Sequence, residues 1–523
     1  MFFKKHILKI SLLLMLLVAG ALCISAVWNY GGVAQSTQNA LGTYNSITSE
    51  DNQLSDDIGG NQGMAPPKGA MPKGMTRSNS NGGNNYTPQI VSFSVAFLML
   101  FLGAYYLIVK MKVKIRLPNE KILIPALLGV GLLLRISIAA LINGHPFDHN
   151  LFKSWATTAA DNLSQVYQGR NASDYPPLYI YVLFLLGKIG SMPLLSPYYI
   201  LLLKLPSIIA DIGTAFLLYK LAKKRLSLEV CLLIGAFYTF NPAIWVNSTV
   251  WGQVDSFFTL IVVSSIVLLS ENKIGLASVF FTSAVLMKPQ GIIFLPVLFF
   301  ELVRQKSVRS CMKTVVSGLI TAIIIVLPFS LNTNGFWIFE LFASTLGEYP
   351  YASVNAFNFF SLLGKNFASD AGTLLGLSYH NWGMLAIVLI TSGSWLLYIK
   401  GKSKDYAAAV ALLLIVGVFT FSARMHERYL FPAVAMSILA FIYLRDKRLM
   451  LIAAGFSSTI YINTHFVLLE TLSGKNSIDY GPILIITSLL NVLFFVYLLK
   501  VLYEIVRGRR VMVHSRTDHD KSN

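Results

Sequence analysis

Charge is scarce in this chain. Only 13% of its 523 residues are Asp, Glu, Lys or Arg, about half the share a soluble globular domain carries. With 55% hydrophobic residues and a mean hydropathy of +0.61, that scarcity excludes a water-solvated fold and indicates lipid as the solvent. Cysteine is scarce as well. Cys23, Cys231 and Cys311 lie far apart, in or beside apolar runs, which argues against a disulfide framework and a zinc site. The chain lacks a His-Glu-x-x-His motif and a Ser/His/Asp elbow, so neither metal chemistry nor a serine hydrolase is supported, and no metal or cofactor is expected. No repeat recurs at the periods typical of solenoids. The formal charge of +18 can signal nucleic acid, but no basic stripe is interleaved with aromatics, so a nucleic-acid partner is rejected.

What is present is a series of apolar runs punctuated by short basic clusters. A spanning helix needs roughly 20 apolar residues. Candidate spans fall near 7–28, 91–110, 122–143, 199–220, 228–249, 256–270, 274–287, 290–303, 313–330, 384–400, 406–422, 429–445, 449–466 and 482–506. The clusters Lys110 to Arg116, Lys223 to Arg225, Lys273, Arg304 to Arg309, Lys400 to Lys404, Arg445 to Arg448 and the tail from Arg507 all fall on one face, which the positive-inside rule makes the inner one. The expectation is an all-α polytopic membrane protein of about 12–14 transmembrane helices. Both termini are cytoplasmic, and large outer loops lie at about 29–90, 144–198 and 331–383. Residues 1–28 read as a signal-anchor helix, 29–90 as a disordered outer loop rich in Asn, Gly and Ser, 91–110 as a second helix, 122–510 as the main transmembrane domain, and 511–523 as a cytoplasmic tail. Leu178 to Pro197 is apolar enough to span. A span there turns Lys223-Lys224-Arg225 outward, so a juxtamembrane or re-entrant helix is expected instead. The runs 274–287 and 290–303 are short; they either tilt or stop around a water-filled cavity.

The residues able to do chemistry fall in the outer loops. Asp148 follows a spanning helix directly; a carboxylate there can take a proton from a substrate hydroxyl, or can simply cap a helix. Asp174 and Tyr175 precede Pro176-Pro177, where a turn-capping Asp is equally natural. In Trp251-Gly-Gln253-Val-Asp255, Gln253 and Asp255 suit sugar hydroxyls and Trp251 a sugar face, although an interfacial Trp in a hairpin explains the same pattern. Lys288-Pro289-Gln290 places a cation on the outer side, suited to phosphate or to snorkelling. Tyr351 and Asn355 sit in an outer aromatic stretch. Arg424, His426 and Arg428 crowd the edge of an outer helix, an expensive placement near lipid that marks function. Within the spans, Arg135 and Asp211 are expected to pair.

These motifs, spread over residues 122 to about 445, resemble the polyprenyl-phosphate-sugar-dependent glycosyltransferases of the GT-C fold. They are most similar to the bacterial relatives of the second mannosyltransferase of GPI-anchor assembly. The resemblance rests on Asp148 with Trp155 downstream, Asp174-Tyr-Pro-Pro-Leu, Trp251-Gly-Gln-Val-Asp255, Met287-Lys-Pro-Gln290, Tyr349-Pro-Tyr-Ala-Ser-Val-Asn355 and His426-Glu-Arg-Tyr429. Residues before about 110 lie outside it, and His149-Asn150 departs from the pattern of the eukaryotic relatives. The resemblance implies a hexosyl donor, mannose foremost, carried on a polyprenyl phosphate and used on the outer face of a bacterial plasma membrane. It implies Asp148 as general base in an inverting transfer. Lys288, Arg424, His426 and Arg428 then face the donor phosphate, and Asp174, Tyr175, Trp251, Gln253, Asp255, Gln290, Tyr351 and Asn355 bind sugar or acceptor. The acceptor is a glycolipid, a wall polymer or a protein. The alternative is a lipid-linked sugar flippase or other transporter, which calls for ionisable residues through the midplane or paired inverted repeats.

Overall fold

The computed structural model describes residues 10–30, 86–114, 120–169, 172–333 and 335–519. The expected disordered loop at 29–90 lies almost wholly outside the described residues, as does the end of the tail.

The chain is a polytopic helical membrane protein. Among the described residues, ten helices are long and apolar enough to cross a membrane. They include α1 (Ile10–Tyr30), α2 (Thr87–Lys110), α3 (Glu120–Leu141), α6 (Tyr199–Lys223) and α7 (Leu228–Trp251). The rest are α11 (Val308–Val326, continued by one tighter turn), α13 (Tyr379–Gly401), α14 (Ala407–Phe421), α16 (Arg448–Leu472) and α17 (Pro482–His519). The other four expected spans are shorter helices: α8 (Asp255–Ser270), α9 (Ile274–Val285), α10 (Leu295–Gln305) and α15 (Ala433–Leu444). With 12 and 11 residues, α9 and α10 reach roughly 17 Å each at 1.5 Å per residue, well short of a bilayer core. They meet at Lys288, whose extended backbone opens a tight turn through Pro289–Phe294.

Three further helices lie outside the expected spans, two of them, α4 and α12, in stretches expected to be loop. α4 (Pro146–Asp161) and α5 (Pro177–Gly190) pack against each other, and α12 (Trp337–Gly347) follows α11. The apolar segment after Leu178 is therefore a helix of 14 residues, too short to cross. The packing centre is α14 with α15 and α16. Every residue from Ala407 to Thr420 and from Ala433 to Leu444 is buried, as expected for helices apolar all round and enclosed by protein.

Buried charge inside the spans is paired across helices. Arg135 on α3 donates to Asp211 on α6 at 2.5 Å and to the Thr239 carbonyl at 2.7 Å, and Ser248 donates to the same Asp211 oxygen at 2.6 Å. The expected pair thus ties three spans together. Lys204 on α6 donates to the Ile142 carbonyl at 2.6 Å and faces that of Ala139 at 3.3 Å. A cation there satisfies the orphan carbonyls at the end of α3 and fixes the point from which the Asp148 segment leaves the membrane.

Candidate functional site

Four chain turns converge at one end of the bundle: the α3–α4 junction, the α7–α8 junction, the α9–α10 turn and the segment between α14 and α15. Local sequence explains each turn. Gly144 and Gly252 adopt positive φ of +82° and +88°, a region open to glycine without strain. A Cβ on Gly252 would lie 2.3 Å from His149 Nε2, and one on Gly144 2.5 Å from the same ring, so both glycines are needed to seat His149 between the two turns. Before Gly252 the last turn of α7 widens to a π-helical one over Val246–Trp251, and the amides of Gly252 and Gln253 both donate to the Asn247 carbonyl at 3.0 Å. Such widened turns gather at functional sites; here it swings Trp251 and Gln253 towards Asp148.

Asp148 lies in the first turn of α4. Its Oδ2 accepts from Trp251 Nε1 at 2.7 Å and Gln253 Nε2 at 2.8 Å, and His145 Nδ1 stands 3.2 Å from the same oxygen. Among the described residues no hydrogen bond reaches Oδ1. The carboxylate is thus clamped on one oxygen and open on the other. Burial works against its charge, but His145, Arg428 and the Trp251 N–H outweigh burial and hold the carboxyl at about 2.

Two cations, Arg428 and Lys288, complete the cluster. The Arg428 guanidinium sits 5.8 Å over the Trp251 ring and donates to Glu427 at 2.6 Å, and its Nε lies 3.9 Å from Asp255. That Nε is buried and has no hydrogen-bond partner among the described residues. Lys288 donates to Asp255 Oδ1 at 2.5 Å, and Asn247 donates to Asp255 Oδ2 at 3.1 Å. The Lys288 ammonium also stands 5.5 Å above the Tyr175 ring, within cation–π range. Burial lowers Lys288, partly offset by Asp255. Burial also raises Glu427 and Asp174, with Arg428 opposing in both cases. His426 is pushed down to about 3 by burial and by the charges of Arg428 and Lys288, so it is neutral near pH 7 and can donate through one ring nitrogen and accept through the other. Its ring meets Tyr349 edge-on at 4.7 Å, and Gln290 bonds to the neighbouring Tyr429.

Three expected site residues stay out of this cluster. Arg424 donates to Asp370 at 2.7 Å and to the Leu346 carbonyl at 2.9 Å, so its charge is spent on the loop wall and does not join Arg428. The Tyr351 ring packs on Phe367, and its carbonyl accepts from the Arg424 amide. Asn355 is a structural knot. Its Oδ1 accepts from Asn366 and from the Ile478 amide, its Nδ2 donates to the Asn476 carbonyl, and its own carbonyl accepts from Asn463. Through backbone bridges, Val354 and Asn355 position His426. Conversely, His145 joins the site without being among the expected site residues, although its i,i+3 spacing to Asp148 at a helix start places the two on one face. Asn247, two turns back from Asp255, carries no such signal.

The family described as GPI transamidase subunit PIG-U matches residues 153–352, less than half of the chain. No curated protein matches it. The matched stretch contains Asp174, Tyr175, Trp251, Gln253, Asp255, Lys288, Gln290 and Tyr351, whereas Asp148 and the segment Arg424–Arg428 fall outside it. The chain is thus a multi-pass membrane protein similar, over its central third, to a subunit family of GPI processing.

Proposed function

We propose that the chain transfers a hexose, mannose foremost, from a polyprenyl-phosphate donor to an acceptor hydroxyl at the outer membrane face, with inversion at the anomeric carbon. The observation that carries this reading is the arrangement around Trp251, whose indole N–H holds the half-clamped carboxylate of Asp148 and whose ring lies under the half-buried guanidinium of Arg428. Asp148 Oδ1 accepts the acceptor proton as that oxygen attacks C1. The bond from C1 to the phosphate oxygen breaks through an oxocarbenium-like transition state, and no protein nucleophile is required. The departing polyprenyl phosphate gains charge. Arg428 and Lys288 stabilise it in a site screened from water, where fixed charges act strongly, and neutral His426 donates to it.

At rest the two cations face at least two carboxylates, so the site has no surplus positive charge. Donor phosphate therefore engages Arg428 by competing with Glu427. Engaging Arg428 also withdraws one of the groups that hold Asp148 low, so donor binding raises the basicity of Asp148 when it is needed. A carboxyl near 2 is a weak base alone; this coupling brings it closer to a useful value.

A second reading is favoured by the family match. In it the chain is a non-catalytic subunit that holds a lipid-linked glycan. The match includes neither Asp148 nor Arg428, so it does not bear on the two groups that carry the transfer reading. Flippase activity is the third alternative, and the ionisable groups within the spans, Arg135, Asp211 and Lys204, are already committed to structural bonds. The test is to incubate purified protein in vesicles with polyprenyl-phospho-[14C]mannose and a panel of acceptors. Labelled product with release of polyprenyl phosphate supports transfer. Binding without turnover points to the subunit reading, and movement of intact donor across the vesicle to a flippase.

A further inference from the structure

Beside the cationic cluster a second cleft of about 770 Å³ opens between the loop before α5 and helix α12. Its walls include Tyr167, Asp174, Trp337, Glu340, Thr345 and Glu348, and among the described residues that line it none is cationic. The Tyr167 and Trp337 rings pack at 4.7 Å and form an aromatic wall. Asp174 Oδ1 is buried and has no hydrogen-bond partner, and its carbonyl accepts from Thr345 at 3.1 Å. The cleft is tied to the cluster at both ends. At one, the Tyr167 hydroxyl donates to the Tyr175 carbonyl at 2.9 Å, and the Tyr175 ring lies under Lys288. At the other, Glu348 precedes Tyr349, whose ring abuts His426.

Helix α12 explains why the cleft is polar. Trp337, Glu340, Leu341, Ser344, Thr345 and Glu348 recur at helical spacing on its cleft side. Phe336, Phe339 and Leu346 are exposed on the opposite side. A helix with an apolar face turned outward beside membrane spans lies at the lipid interface, so the cleft opens at head-group depth.

Aromatic rings beside carboxylates, without a cation, match an uncharged sugar. The ring packs on its apolar face, and the carboxylates accept from its hydroxyls. A phosphorylated or carboxylated ligand meets like charge there. We infer that this cleft is the acceptor subsite and that it takes an uncharged polyhydroxylated sugar, with the anionic stretches of a wall polymer excluded. The inference rests on the transfer reading for its role in the reaction, whereas binding of the sugar can be measured without any donor.

The experiment is saturation-transfer NMR on the full chain in lipid nanodiscs, with methyl α-mannoside and mannose 6-phosphate as probes and no donor present. The wild type is expected to give saturation transfer to methyl α-mannoside and about fivefold less to mannose 6-phosphate. Glu340 is exposed, so Glu340→Lys leaves the fold intact. It is expected to reduce the methyl α-mannoside signal about tenfold, the lower end of the scale of a lost hydrogen bond to a charged group, and to raise that of mannose 6-phosphate. Glu348→Gln is expected to weaken the sugar signal in the same direction. Equal signals for the two probes in the wild type, no signal for either, or an unchanged preference in Glu340→Lys each overturn the subsite. Sugar binding without any transfer activity upholds the subsite and rejects the transfer reading, so the two fail separately.

Discussion

Two groups of ion pairs in the bundle sit in opposite settings. At the end rich in Lys and Arg, one group lies at the surface: Lys224 with Glu271 at 3.1 Å, Lys273 with the same carboxylate at 3.0 Å, Arg225 with Asp405 at 3.4 Å, and Arg448 with Asp446 and Glu504. Lys224 is 58% exposed there. At the other end, Lys288 and Asp255 are 5% and 2% exposed, and Arg428, 19% exposed, contacts the buried carboxylates of Glu427 and Asp255. Exposed pairs contribute little to stability and can serve orientation, the role the positive-inside rule gives them. Buried pairs are costly to assemble and are a poor way to stabilise a fold. The Lys288–Asp255 pair, close to an open carboxylate oxygen, marks a place where this molecule spends stability on something other than folding.

The comparison can be sharpened from its strongest contrast to its weakest. Asp148→Asn keeps the shape of the clamp but removes the proton acceptor; transfer is expected to fall about 10³-fold with the thermal midpoint nearly unchanged, as checked by initial rates and a melting curve. Lys288→Met leaves Asp255 buried without its cation, and breaking such a pair costs about 3–5 kcal/mol, read as a large drop in melting temperature. Arg428→Lys keeps the charge but loses the planar fork, and a fall in kcat of about 10² is expected. Glu427→Gln probes pH. Burial raises the Glu427 carboxyl, so as pH falls through that raised value Glu427 becomes neutral and releases Arg428 to the donor. Donor KM is therefore expected to decrease towards acid in the wild type and to stay low and flat in the variant. His426, at about 3, and Asp148, at about 2, have finished titrating well below that window. Last, Lys224→Ala at the basic end is expected to change stability by no more than about 0.5 kcal/mol and transfer not at all.

Hydropathy and charge placed the helices well, because a span is a long apolar run and its ends are marked by basic clusters. What they missed were the amphipathic helices α4 and α12, whose polar faces look like loop until packing reveals what they cover. They also misjudged where helices start. α15 begins at Ala433 and not near 429, because the preceding residues, Arg424 to Phe431, turn to build the site. The same limit applies to side chains. Asp148, Trp251, Gln253, Lys288 and Arg428 stood out because polar groups at membrane boundaries are expensive, and they do converge. Arg424 and Asn355 stood out for the same reason, yet they are consumed in holding the segment that presents His426. Sequence spacing marks a turn as polar but does not say which of its side chains faces inward. That depends on partners such as Asp370 and Asn463, far away along the chain.

The central claim is a single-base displacement at the buried end, and the anomeric configuration of the product tests it most directly. With a synthetic polyprenyl-phospho-mannose of defined anomeric configuration, NMR of the product formed by the wild-type protein is expected to show the opposite configuration at C1. Retained configuration is incompatible with a single direct displacement assisted by one base, and that result, or the absence of any glycosidic product, contradicts the account.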